Sequence, residues 1–228
     1  MSQGATTQQS TLIAYPKQTA VGRVLPKSKI YEHGGVNTRL KEMFVQQVEQ
    51  IVWAFKLAPE TLHLPERPGV AEIQVFSIQL KTPELHQDVL RSIDGAIPFP
   101  IVFELVFEGK TQVIAAYKRP NEADASRWVL SDYFASEWVS AGCEHTAMPI
   151  ALHLGGLYEQ LLHRLIPLPV RPQETLAELV ARVEQAQAKQ REVDKVSARL
   201  TKEKQFNRKV EINAQLRQLK KDHAALIR

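Results

Sequence analysis

Apolar positions change period several times along the chain, and each change predicts an element. In "NTRLKEMFVQQVEQIVWAFKL", Leu40, Phe44, Val48, Ile51, Val52 and Phe55 recur at helical spacing behind Asn37 or Thr38 as N-cap. The pattern predicts a helix over about 38–56, which Pro59 bars from continuing. "AEIQVFSIQLK" alternates and predicts a strand near 71–80. "PELHQDVLRSIDGAI" reads as a short helix, with Pro83 in its first turn and Gly95 past its end. Two β-rich runs flank Glu108-Gly109-Lys110, a hairpin signal with strands near 100–107 and 111–118. "RWVLSDYF" adds a strand near 127–133, and "LGGLYEQLLHRLIP" a helix near 156–165, closed by Pro167.

"IPLPVRP", residues 166–172, is a stiff Pro-rich linker. Beyond Pro172 there is no Gly or Pro for 56 residues. Leu176, Leu179, Val183, Ala186, Gln190 and Val193 form a seam at alternating 3 and 4 spacing. Ile212, Leu216, Leu219, His223 and Leu226 form a second one. Between Leu200 and Ile212 the phase slips, which is either a stutter in one rod of roughly 80 Å or the bend of a helical hairpin.

These elements predict an α+β fold: a body over about 25–166 with a small mixed or antiparallel sheet and packed helices. A linker at 167–172 leads to a long, coiled-coil-like helical arm over 173–228. Residues 1–24, rich in Ser, Thr and Gln, read as disordered. The length of 228 residues and 44% hydrophobic content suffice for a sizeable core. The lone cysteine, Cys143, excludes an intrachain disulfide and fits a reducing compartment. The polar N-terminus carries no secretory h-region and no stretch is apolar enough to span a membrane, so a cytoplasmic protein is expected.

Charge sharpens the picture of the arm. Residues 1–170 carry 15 Lys and Arg against 17 Asp and Glu, a net −2; residues 171–228 carry 14 against 8, a net +6. On the wheel of one continuous helix, Arg199, Lys202, Lys209, Arg217 and Lys220 share a stripe roughly 80° wide. Phe206 falls inside that stripe and Val210 beside it, away from the second seam. Three readings follow. The stripe tracks phosphates while Phe206 stacks on a base; Phe206 anchors a protein partner inside a basic rim; or the helix folds back and buries Phe206.

Catalytic patterns are weak. Glu108-Gly109-Lys110, with Glu104 and Asp94 upstream, has the letters of a metal-dependent nuclease strand, but Gly109 belongs to a hairpin turn. Glu72, Glu104 and Lys118 lack a recognised spacing. Cys143, His145, His153 and His163 form no zinc pattern, so neither a metal site nor a cofactor is expected. Ser136 lacks a nucleophile elbow, and Gly155-Gly156 reads as a helix-entry turn. Trp53, Trp128 and Trp138 read as core or interface. Residues 1–30 hold Lys17, Arg23, Lys27 and Lys29 with no acid, a solvated arm or a second basic contact.

Taken in order, "LPKSKIYEH", "FVQQVEQIVWAFKLAPETLHLP", "EIQVFSIQLK", "AIPFPIVFEL", "YFASEW" and "KEKQFNRKVEINAQLRQLKK" resemble the bacterial and archaeal domain-of-unknown-function family 4391 over about residues 24–228. The resemblance brings no catalytic residues. It implies a genomic setting beside DNA methyltransferases and large helicases, in restriction–modification or phage-defence loci. The expectation is therefore a non-enzymatic accessory protein. Its arm would dock a helicase or methyltransferase through Arg199, Lys202, Phe206, Lys209, Arg217 and Lys220, with DNA contact as an added role. A metal-dependent nuclease using Glu104, Glu108 and Lys110, and a coiled-coil protein that self-assembles through its arm, are the alternatives.

Overall fold

The computed structural model describes residues 11–124 and 127–228, and the chain divides into two units, Met1–Leu165 and Ile166–Arg228. In chain order the first unit holds β1 (Ile13–Ala14), a 3-10 turn (Lys17–Thr19), β2 (Ala20–Val24), α1 (Lys27–His33), α2 (Thr38–Gln47), β3 (Val48–Leu57), α3 (Pro59–Leu62) and β4 (Ile73–Leu80). It continues with α4 (Gln87–Ala96), β5 (Ile101–Phe107), β6 (Lys110–Pro120), β7 (Trp128–Ala135), β8 (Val139–Ser140), β9 (Thr146–Ala147) and α5 (Leu154–His163). The fold is α+β with a mixed sheet ordered β2-β3-β4-β5-β6-β7, β8 lying beside β6. In this sheet, among the described residues, only β4 and β5 run parallel, because α4 carries the chain back between them. All other neighbours in that sheet are antiparallel.

The main core forms where α1, α2 and α4 pack on the sheet. Ile30, Phe44, Leu90 and Ile93 from the helices meet Ile51, Phe76, Ile78 and Phe103 from the strands. β4 is central and nearly continuously buried, which explains why its alternation is only partial. At the β5–β6 hairpin, Glu108 and Gly109 take φ of 45° and 73°, the two left-handed residues of a tight two-residue turn.

Two sequence expectations fail here. The helix expected over 38–56 ends at Gln47, and Val48–Leu57 is β3. Asn37 caps the helix as expected, accepting from the Leu40 N–H at 2.9 Å. Its end is set at long range: the Lys27 ammonium donates to the carbonyls of Phe44 (3.1 Å) and Val48 (2.5 Å). The β-branched and aromatic run beyond then pairs along both β2 and β4. The second failure lies in residues 1–24. Residues 11–24, expected to be disordered, hold β1, which pairs parallel with β9, and β2, which forms the sheet edge beside β3. Residues 1–10 lie outside the described residues.

The second unit holds α6 (Leu176–Lys202) and α7 (Phe206–Leu226), which fold back on one another as a hairpin. Thr175 and Glu178 form a capping box at the start of α6. Val193 and Val196 of α6 pack with Ile212 and Leu216 of α7, with Leu200 and Leu219 against them. At the far end Arg171 donates to the Ala225 carbonyl at 2.6 Å and Arg182 to the Leu226 carbonyl at 2.7 Å. Two cations thus satisfy the last carbonyls of α7, where the helix dipole favours positive charge.

Candidate functional site

The hairpin turn is made without Gly or Pro. Glu203 leaves the helix with ψ of 136°, and its carboxylate accepts from the N–H groups of Gln205 (2.9 Å) and Lys204 (2.8 Å). Those two bonds hold the Glu203 carboxyl below the usual carboxylate range. Gln205 offers α7 no side-chain cap, so this carboxylate supplies acceptors for its entry.

α7 then begins on Phe206. Its side chain is 78% exposed, and Val210 one turn on is 53% exposed. Every residue from Lys204 to Glu211 is exposed, with Lys204, Arg208 and Lys209 around the phenyl ring in sequence and Lys202 closing α6. Ile212, the next apolar residue, is buried in the hairpin core. The tip of the hairpin therefore presents an aromatic and a β-branched side chain among cations. Burial of Phe206 by folding back, one of the sequence readings, does not occur in this structure.

The single basic stripe is not formed as expected. The break at 203–205 puts Arg199 and Lys202 on α6 and Lys209, Arg217 and Lys220 on α7, so no common wheel relates them. All five are exposed. Lys202 and Lys209 lie within a turn of the tip, whereas Arg217 and Lys220 lie further along α7, beyond Leu216. The phase slip between the two seams was the available sign of this break. The wheel ignored it.

The nuclease-like letters do not gather. Glu108 is exposed in the β5–β6 turn and Lys110 is exposed beside it, while Glu104 is half-buried in mid-strand, where burial lifts its carboxyl to about 7. Glu72 and Lys118 have different partners. Glu72 pairs with Lys56 at 3.3 Å, and Lys56 also holds Glu60 at 2.5 Å. Lys118 pairs with Asp94. Among the described residues no group of three or more His, Cys, Asp or Glu could hold a metal ion. His153 is the N-cap of α5, accepting from the Gly156 N–H at 2.9 Å, which is the use of the Gly pair.

Sequence reasoning missed the buried polar centre of the first unit. The Lys118 ammonium donates to the carbonyls of Asp94 and Ile97, both at 2.5 Å, and so caps the end of α4. It lies 5.5 Å above the Trp128 ring. Asp94 accepts from the Tyr133 hydroxyl at 2.5 Å. Tyr158 accepts from the Lys118 N–H at 2.9 Å and donates to the Ala116 carbonyl at 2.8 Å, filling the place where β6 slips register against β7. These side chains bind one another and nearby backbone groups, which makes this centre a structural clamp. No sequence spacing marks it, because Asp94, Lys118, Tyr133 and Tyr158 come from α4, β6, β7 and α5.

Among the described residues no helix is long and apolar enough to cross a membrane. No curated protein and no solved structure matches the chain. The family described as "Domain of unknown function (DUF4391)" matches residues 13–222, including the whole hairpin tip. The match covers most of the chain, and the protein belongs to that family.

Proposed function

We propose that this protein is a non-enzymatic accessory component of a DNA modification, restriction-like or phage-defence system, and that its helical hairpin docks a protein partner, a helicase or a DNA methyltransferase, tip first. One observation carries the reading: Phe206, 78% exposed at the very start of α7, with Val210 beside it and cations around both. An aromatic side chain kept in water gains nothing for folding. It gains when a partner covers it, and aromatic anchors rimmed by polar groups are what binding hot spots are made of. The partner surface that fits is an apolar socket with an acidic border.

Direct contact of the tip with DNA is the second reading, favoured by Lys202, Lys204, Arg208 and Lys209, all exposed and close in sequence around the hairpin turn. Nothing in the geometry favours the nuclease alternative, since Glu108 is spent on a turn. Self-assembly through the first seam also gains no support. Leu176, Leu179, Val183 and Ala186 are already buried within one chain.

The test is binding to labelled duplex and single-stranded DNA by fluorescence anisotropy across a salt series, with Phe206→Ala and Lys202→Glu/Lys209→Glu beside wild type. Salt-sensitive binding lost in the charge variant assigns the tip to phosphates. Absence of binding at low salt removes the DNA reading and leaves the protein partner.

A further inference from the structure

A cleft of about 260 Å³ opens in the first unit between α1, the end of α4 and the β2–β3–β4 part of the sheet. Trp53, Phe76, Ile97 and Phe99 give it an apolar lining. Trp53 and Phe76 lie side by side, ring centroids 6.5 Å apart and planes inclined by 21°. The indole N–H of Trp53 already donates to the Phe55 carbonyl at 3.1 Å, so this ring offers the cleft carbon surface only. The sequence read Trp53 as core or interface; it is half-buried.

The charged groups lining the cleft are basic. Arg23 from β2 and Lys29 from α1 line it together with the His33 imidazole, all three exposed, and no acidic residue does. Lys29 also pairs with Glu32 at 2.9 Å on the solvent side. Arg23 enters no ion pair among the described residues. Gln74 contributes a further polar atom. Its amide nitrogen donates to Glu72 at 2.6 Å, and Glu72 is itself held by Lys56. A carboxylate can only accept, so the amide orientation is fixed, with nitrogen towards Glu72 and the oxygen as the side chain's acceptor.

We propose that this cleft binds one nucleotide. The base lies against Trp53, Phe76 and Phe99, the Gln74 amide oxygen accepts an N–H from its edge, and the phosphate is held by Arg23 and Lys29. Every nucleobase has a π-face, and aromatic side chains bind it with little regard to sequence. A guanidinium and an ammonium at the mouth supply charge-assisted bonds to the phosphate. The volume falls just below the usual range for small-molecule sites, roughly 300–1,000 Å³. It takes one base and its sugar, not a dinucleotide. The occupant is either a free mononucleotide or an unpaired nucleotide of a strand, which share this chemistry. The proposal is independent of the hairpin tip.

The test is calorimetric titration of the full chain with AMP, CMP, a short single-stranded oligonucleotide, ribose 5-phosphate and decanoate. Wild type is compared with Arg23→Glu/Lys29→Glu, with Phe99→Ala, and with the tip variant Lys202→Glu/Lys209→Glu. The expected result is binding of the base-bearing phosphates and not of ribose 5-phosphate, weakened at least about tenfold in the cleft charge variant. The tip variant should bind as wild type does. Arg23 and Lys29 are exposed, so the charge variant should melt as wild type does. Binding of the oligonucleotide alone assigns the occupant to a strand, and binding of the mononucleotides assigns it to a free nucleotide. Three results overturn the proposal: no binding of any base-bearing phosphate, binding unchanged by the cleft charge variant, or decanoate held in preference to all nucleotides.

Discussion

The Lys118 ammonium lies 3.6 Å from the Asp94 carboxylate, with only 1% and 2% of the two side chains exposed. Burial pushes the Lys118 ammonium down and the Asp94 carboxyl up to about 6, while each charge opposes the shift of the other. Removing one partner leaves the other unpaired in the interior. Lys118→Met also uncaps α4. It should cost about 3–5 kcal/mol in urea unfolding, the range for breaking a buried pair. A loss below about 1 kcal/mol would mean that the clamp does not hold the fold.

Glu104 gives the first unit a pH dependence of definite sign. Burial raises its carboxyl from 4.5 to about 7, so the folded protein binds this proton more tightly than the unfolded chain does. Lowering the pH from 7 towards 4.5 therefore adds stability from this group, and raising it through 7 removes that contribution. Asp94 acts in the same direction between about 6 and 3.8. Glu104→Gln should be more stable than wild type above pH 7 and should show a flatter profile between 4.5 and 7. A profile identical to wild type would place Glu104 in water.

Arg182 closes the open end of the hairpin. It donates to Glu174 at 2.6 and 2.8 Å, to the Pro169 carbonyl at 2.6 Å and to Leu226 at 2.7 Å. The guanidinium beside it holds Glu174 down to about 2. In Arg182→Leu the Glu174 carboxyl should titrate back near the ordinary carboxylate range, read by NMR, and the amides of the last turn of α7 should exchange faster. An unmoved Glu174 titration would show that another group holds it.

Phe206→Ala should leave unfolding free energy within about 0.5 kcal/mol of wild type, because the ring is largely in water. Ile212→Ala, four residues into the hairpin core from Arg208, should cost about 2–5 kcal/mol. If Phe206→Ala destabilised as much as Ile212→Ala, the ring would be covered in solution and the tip would not be a docking surface.

What the sequence disclosed followed how local the cause was. The β5–β6 hairpin was legible because Glu108-Gly109 sets its own turn. The α2–β3 junction was not, because the amine that ends α2 comes from Lys27, some twenty residues earlier, and no Gly or Pro marks the place. The two seams of the arm were legible, and their buried positions match: Leu179, Val183 and Val193 on α6, Ile212 and Leu216 on α7. The turn between them was hidden in Glu203, which leaves α6 in an extended conformation while its carboxylate accepts from the Lys204 and Gln205 N–H groups. Phe206 could be singled out because it broke the pattern around it. The clamp of Asp94 and Lys118 and the cleft at Trp53 could not, since each is assembled from elements far apart in sequence.

The central claim is that the hairpin tip is a protein-docking surface. The most direct measurement is binding, by biolayer interferometry, of the purified chain to a candidate helicase and to a candidate DNA methyltransferase, with wild type, Phe206→Ala and Lys202→Glu/Lys209→Glu compared at one salt concentration. The account predicts binding of wild type to one of them, weakened at least about tenfold in both variants. Equal binding by wild type and both variants, or no binding to either protein, would contradict it.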